Sequence, residues 1–175
     1  MATVYDVANF FLGIQQNDED KDITPMKLQK LVYFAQGFSL ALLNHPLFLE
    51  QLEAWKHGPV CPELYQKYKP CGGNVIQAAD TLNTRAAFTQ DEFELLMDVY
   101  SQYGKYSASA LRNMSHETAP WRMVFSPDAK NIISLDSMKE YFKTQSLERF
   151  NDVWDDLDIE IITPPIDARE GDSHV

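Results

Sequence analysis

Between Thr24 and Asn44 the chain carries more apolar residues than a single narrow helix face can hold. Thr24-Pro25 is a strong helix start, because Thr accepts a bond from an orphan backbone N–H and Pro at the first helical position forfeits nothing. Leu28, Leu31, Val32, Ala35, Phe38 and Leu42 then follow at alternating spacings of three and four, and Met26, Phe34 and Leu43 widen the stripe. The pattern predicts the central, most buried helix of the molecule. Lys27, Gln29, Lys30 and Gln36 lie off the main stripe and are expected to face solvent or a partner.

The rest of the chain reads as shorter helices around that one. Thr3 with Asp6, and Thr89 with Glu92, are capping-box patterns that open helices carrying Val4, Val7, Ala8, Phe11 and Leu12, and Phe93, Leu96, Val99, Tyr100 and Tyr103. Pro62 starts a short helix that Pro70-Cys71-Gly72-Gly73 ends, and Ser107 caps another with Ala108, Leu111 and Met114. Pro120 should break it. Asn131-Ile132-Ile133 reads as a short apolar link, and Ser134 to Thr144 as a last helix with Met138, Tyr141 and Phe142 inward. Leu52 to His57 reads as a short strand or hairpin that Gly58-Pro59 stops. The expected fold is mainly α: about six helices in a compact domain, with a small β-hairpin or short strand near residues 47–60.

Of the 175 residues, 45% are hydrophobic, enough for one core. With 15 basic and 26 acidic residues the formal charge is −11, a field that repels phosphate polymers and anionic membrane surfaces. Nine acids and two arginines fall between Ser146 and Val175. Residues 1–145 are therefore expected to form the domain, and 146–175 an acidic extension, partly disordered or docking on a partner. Within it Phe150, Trp154 and Ile161 are the candidate contacts, since acids interleaved with apolar groups could fold on a basic face. No segment has the ~20 apolar residues of a spanning helix. Two cysteines build no disulfide scaffold, and a reducing cytoplasm is the expected compartment.

Chemistry-bearing patterns are sparse. His57, Cys61, Cys71 and His116 lack the short paired spacing of a zinc site. Cys61 with His57 or His116 is the only nucleophile–base pairing on offer, and no strained elbow frames it. Neither G-x-G-x-x-G nor a P-loop occurs, so no nucleotide cofactor is expected, and no catalytic residue is assigned. Lys27, Lys30, Lys56, Lys67, Lys69 and Arg85, with Tyr33, Tyr65 and Tyr68, could form a basic-aromatic patch, but a solvated helix face explains each better.

Three segments carry a family resemblance. They are Thr24-Pro25-Met26-Lys27-Leu28-Gln29-Lys30-Leu31-Val32-Tyr33-Phe34-Ala35-Gln36-Gly37, then Glu53-Ala54-Trp55-Lys56-His57-Gly58-Pro59-Val60 with Leu64-Tyr65, and Leu111-Arg112-Asn113-Met114-Ser115-His116-Glu117-Thr118-Ala119-Pro120-Trp121. In order, spacing and type the chain from Val4 to Phe142 resembles the Panacea domain, also called the SocA-like antitoxin or phage-associated GepA-like domain. His57 departs from the aromatic residue common there.

The resemblance implies a helical domain, often encoded beside a toxin gene and in prophages. Such a domain neutralises a cognate toxin by protein contact rather than catalysis, in some members as an adaptor that delivers the toxin to a protease. The motif residues it points to are Lys27, Lys30, Tyr33, Trp55, Gly58, Pro59, Val60, Tyr65, Ser115, His116, Pro120 and Trp121, as structural or partner-binding groups. On the residues alone, Gly58 and Pro59 are turn formers, Trp55 and Trp121 packing anchors, and His116 a helix-end group able to bond orphan carbonyls. The alternative is a phage-encoded regulator or modulator acting on nucleic acid or a host complex.

Overall fold

The structure is a computed structural model and describes residues 1–77 and 84–147. The expectations at Phe150, Trp154 and Ile161 lie outside the described residues. The described residues form seven α-helices beside a small sheet: α1 Val4–Ile14, α2 Pro25–Phe38, α3 Pro62–Tyr68, α4 Gln90–Tyr103, α5 Ala108–His116, α6 Ala119–Arg122 and α7 Leu135–Phe142. The sheet joins β1 Leu52–Trp55, β2 Gly58–Val60 and β3 Asn131–Ile133 in the antiparallel order β2-β1-β3.

The helix starts form where short-range chemistry puts them. Thr3 accepts from the Asp6 N–H while the Asp6 carboxylate accepts from the Thr3 N–H, and Thr89 and Glu92 make the same reciprocal pair. Thr24, Ser107 and Ser134 each cap the N–H three residues on.

Helix α2 is the hub, packing against α1, α3, α4, α5, α7 and β2. Its apolar side chains meet an aromatic cluster in which Phe34 stacks on Tyr103 at 4.4 Å and Phe142 meets Phe38 edge-on at 4.9 Å. Gly37 lets that ring in, since a Cβ there would sit 2.2 Å from Phe142. Past Phe38 the chain widens into a π-helical segment, Ser39–Leu43, and Asn44 ends it in the left-handed region at φ 63°. The widened turn carries Leu42 out of the stripe, and it is 56% exposed.

The polar residues of α2 depart from expectation, for Lys27, Gln29, Lys30 and Gln36 are all buried. Each reaches across to a different segment. Lys27 pairs with Asp22 at 2.8 Å and donates to the Gly104 carbonyl at 2.6 Å. The Gln36 amide accepts from the Leu47 N–H and donates to the Phe48 carbonyl, both at 2.8 Å. Gln15, before α2, accepts from the Ile23 N–H and donates to the Ile76 carbonyl. Loops that no ladder could satisfy are thus held by side-chain amides.

Two further readings are corrected. Gly58-Pro59 does not stop the strand but lies in β2, an edge strand, where a missing N–H is tolerated. Asn131-Ile132-Ile133 is no mere link, since it pairs with β1 as β3, Ile133 opposite Leu52.

Candidate functional site

Gly58 is where the three sequence motifs meet. Its φ of +108° favours glycine, and a Cβ there would lie 2.7 Å from both Lys30 Cε and Ser115 Oγ. Helix α2, the β1–β2 turn and helix α5 therefore touch at one backbone position. Lys30 Nζ donates to the Pro59 carbonyl at 3.0 Å, and the Ser115 hydroxyl donates to the Arg112 carbonyl at 2.7 Å.

The end of the third motif braces the same turn. Trp121 Nε1 donates to the Trp55 carbonyl at 2.8 Å, and its ring is sandwiched between His116 at 4.1 Å and Phe125 at 4.5 Å. The Lys56 backbone across the gap favours the protonated His116 ring, against the desolvation and the Arg112 charge that lower it. On the opposite flank Gln29 accepts from the Cys61 N–H at 2.8 Å and donates to the Cys61 carbonyl at 3.1 Å.

In front of this frame lies a pocket of about 320 Å³. Pro25, Met26, Gln29 and Lys30 of α2 form one wall, and Trp55, Lys56, His57 and Val60 of the hairpin another. Tyr65 of α3, Lys69 and Gly72 close the rim. Trp55 meets Tyr65 edge-on at 4.8 Å, with the Lys130 ammonium 4.0 Å over its ring and its own N–H donated to Glu53.

The pocket is electropositive although the chain is acidic. Lys56 and Lys69 bring positive charge to it, Lys30 and His57 line it beside them, and no carboxylate of the described residues does. Burial, and then the neighbouring Arg112 guanidinium, lowers the Lys30 ammonium to about 7. His57 and His116 are lowered in turn by desolvation first and Arg112 second. Arg112 Nε and His116 Nε2 are buried without a hydrogen-bond partner among the described residues.

The pairing of Cys61 with a histidine is not assembled. Its thiol meets Glu63 at 3.3 Å, and burial pushes it up to about 12, far from the thiolate a nucleophile needs at neutral pH.

Of the motif residues, Lys30, Trp55, Gly58, Pro59, Val60, Tyr65, Ser115, His116 and Trp121 gather around the hairpin. Lys27 does not join them, being turned toward Asp22 and Gly104. Tyr33 points into the core and bonds Thr118 at 2.8 Å, while the buried Pro120 opens α6. Gln29, Arg112 and Thr118 were not singled out by sequence. For Gln29 the signal was the density of polar residues in Lys27-Leu28-Gln29-Lys30, unusual for a helix so apolar elsewhere, and Arg112 and Thr118 carried none.

Residues 28–122 match the family described as antitoxin SocA-like, Panacea domain, which is more than half of the 175 residues. The chain belongs to this family. The matched interval holds Lys30, the β1–β2 hairpin, Ser115 and Trp121, and leaves out Lys27, Phe125 and the acidic extension. Antitoxin SocA of Caulobacter vibrioides (strain NA1000 / CB15N) is 33% identical over an alignment 123 residues long that covers 65% of this chain and 65% of the relative. The match thus spans just under two thirds of that relative. No solved structure matches.

Proposed function

We propose that this chain is an antitoxin that neutralises a cognate toxin, encoded by a neighbouring gene, through direct protein contact in the cytoplasm. The observation that carries the reading is the match of residues 28–122 to the SocA-like Panacea domain, supported by a relative that is itself named an antitoxin. The geometry agrees with a binding role. Lys30 and Trp121 each give an internal bond that holds the hairpin against α2 and α6, Ser115 bonds within α5, and burial holds the Cys61 thiol protonated.

Residues 1–145 would supply the rigid recognition domain. The extension 146–175 would add contacts through Phe150, Trp154 and Ile161, its acids steering a basic face of the toxin. Delivery of the bound toxin to a protease is a second outcome of the same contact. A role on nucleic acid fits the charge of −11 poorly.

Co-expression with each neighbouring gene tests the proposal, scored by growth rescue and co-purification. Rescue with a stable complex supports neutralisation by occlusion, and rescue with disappearance of the toxin supports delivery. If no neighbour is toxic alone and bound when paired, the antitoxin reading is abandoned for this chain.

A further inference from the structure

We propose that the pocket between α2, the β1–β2 hairpin and α3 receives an acidic peptide segment of the partner protein, one large apolar side chain entering and its flanking carboxylates meeting the basic rim. The inference rests on the antitoxin reading for the identity of that partner, and on the pocket alone for its chemistry.

The walls are mostly apolar, with Pro25, Met26, Trp55, Val60 and Tyr65 presenting carbon to the interior, while Lys56, His57 and Lys69 stand at the exposed edge. At the inner wall Lys30 donates to the Pro59 carbonyl, and no described carboxylate forms an ion pair with it. Protonated, Lys30 has three donors, so an incoming carboxylate can take those Pro59 leaves and in doing so favours that protonated form. In a chain of net charge −11 a cation-lined hollow reverses the local field, so an acidic segment repelled elsewhere is drawn to this spot.

Size points to a peptide rather than a nucleic acid. About 320 Å³ is at the lower end of small-ligand cavities and accommodates a single large side chain or a small ligand. It offers no groove along which a phosphate backbone could run.

The test uses the full-length protein and two capped peptides, one with glutamates around a single phenylalanine and its glutamine counterpart, with binding followed by amide chemical shifts. The glutamate peptide should bind saturably and perturb Trp55, His57 and Tyr65. Lys56→Glu/Lys69→Glu, whose side chains are exposed and whose reversal leaves the core untouched, should weaken it about tenfold. A lysine-for-glutamate peptide should then bind the doubly reversed protein better than the wild type.

Equal binding of the glutamine peptide, or indifference to the reversal, overturns the proposal. So does inorganic phosphate binding at the same residues while the peptide does not. Tighter binding of a peptide copied from residues 148–162 of this chain would hand the pocket to its own extension, and overturns it too. Co-expression separates the two readings: a doubly reversed protein that loses the peptide yet still neutralises the toxin leaves the antitoxin reading standing and removes this one. Peptide binding that survives although no neighbouring gene is toxic leaves the pocket's chemistry standing and removes the antitoxin reading.

Discussion

Tyr33 and Thr118 are joined by a buried 2.8 Å hydrogen bond across 85 residues of sequence, and its direction can be read from the next bond along. The Thr118 hydroxyl gives its proton to the Ser115 carbonyl at 2.6 Å, so the Tyr33 hydroxyl must be the donor to Thr118. The middle of α2 is thereby tied to the joint between α5 and α6.

That relay orders two substitutions. Tyr33→Phe removes one donor and should cost about 1 kcal/mol, whereas Thr118→Val leaves the buried Tyr33 hydroxyl without its acceptor, the Ser115 carbonyl keeping the backbone N–H of residue 118, and should cost about twice that. Urea unfolding of the two variants checks the order, and equal losses would dissolve the relay.

Lys30 gives a stability profile with a definite sign. Lowered to about 7 in the folded protein, it titrates near 10.4 when unfolded, so between those values the unfolded chain holds a proton the native one lacks. Stability contributed through Lys30 therefore rises with pH across that window, and below it the native state bears the full burden of a buried charge. Cys61, pushed up to about 12, acts with the opposite sign above its unfolded value near 8.5. Subtracting the profile of Lys30→Met from that of the wild type cancels the thiol. The difference should climb between about pH 7 and pH 9, and a flat difference would mean that Lys30 is not charged at the cost its burial implies.

Gly58→Ala should be the most damaging single methyl in the hairpin. It adds strain at φ +108° to an overlap with Lys30 and Ser115, together roughly 3 kcal/mol. Thermal unfolding measures the loss. A variant as stable as wild type would place Lys30 and Ser115 farther from the turn than described.

Gln29→Glu offers a reversible version of the same question. A carboxylate can accept from the Cys61 N–H but cannot donate to its carbonyl, while a protonated carboxyl can do both. Burial raises the folded pKa of the new acid above its unfolded value, so the variant should recover stability relative to wild type as pH falls through that raised value. Gln29→Leu, which loses about 2 kcal/mol by baring the Cys61 N–H while the Cys61 carbonyl keeps the Tyr65 N–H, should show no such recovery. Parallel denaturation curves at neutral and acidic pH distinguish them.

Sequence was legible where the determining contacts are a few residues apart. The caps at Thr3, Thr24, Thr89, Ser107 and Ser134 formed because their partners lie three positions on. The burial of Lys27, Gln29, Lys30 and Gln36 was not legible, because hydrophobic periodicity treats a polar side chain as outward-facing. Their partners Gly104, Cys61, Pro59 and Phe48 lie 12 to 77 residues away. Strand β3 was missed for a similar reason, as Asn131–Ile133 becomes a strand only by lying beside β1. The three motifs were visible as sequence, but that they converge on Gly58 is a fact of packing.

Helix α2 buries 12 of its 14 residues and sends side chains to nearly every surrounding loop, so no part of it can open while those loops stay closed. Its amide hydrogens should exchange with solvent only when the entire molecule comes apart, at one common rate from Leu28 to Phe38. The helix is therefore a built-in clock for global unfolding, and deuterium uptake there would read a partner's grip on this protein without any label on the partner.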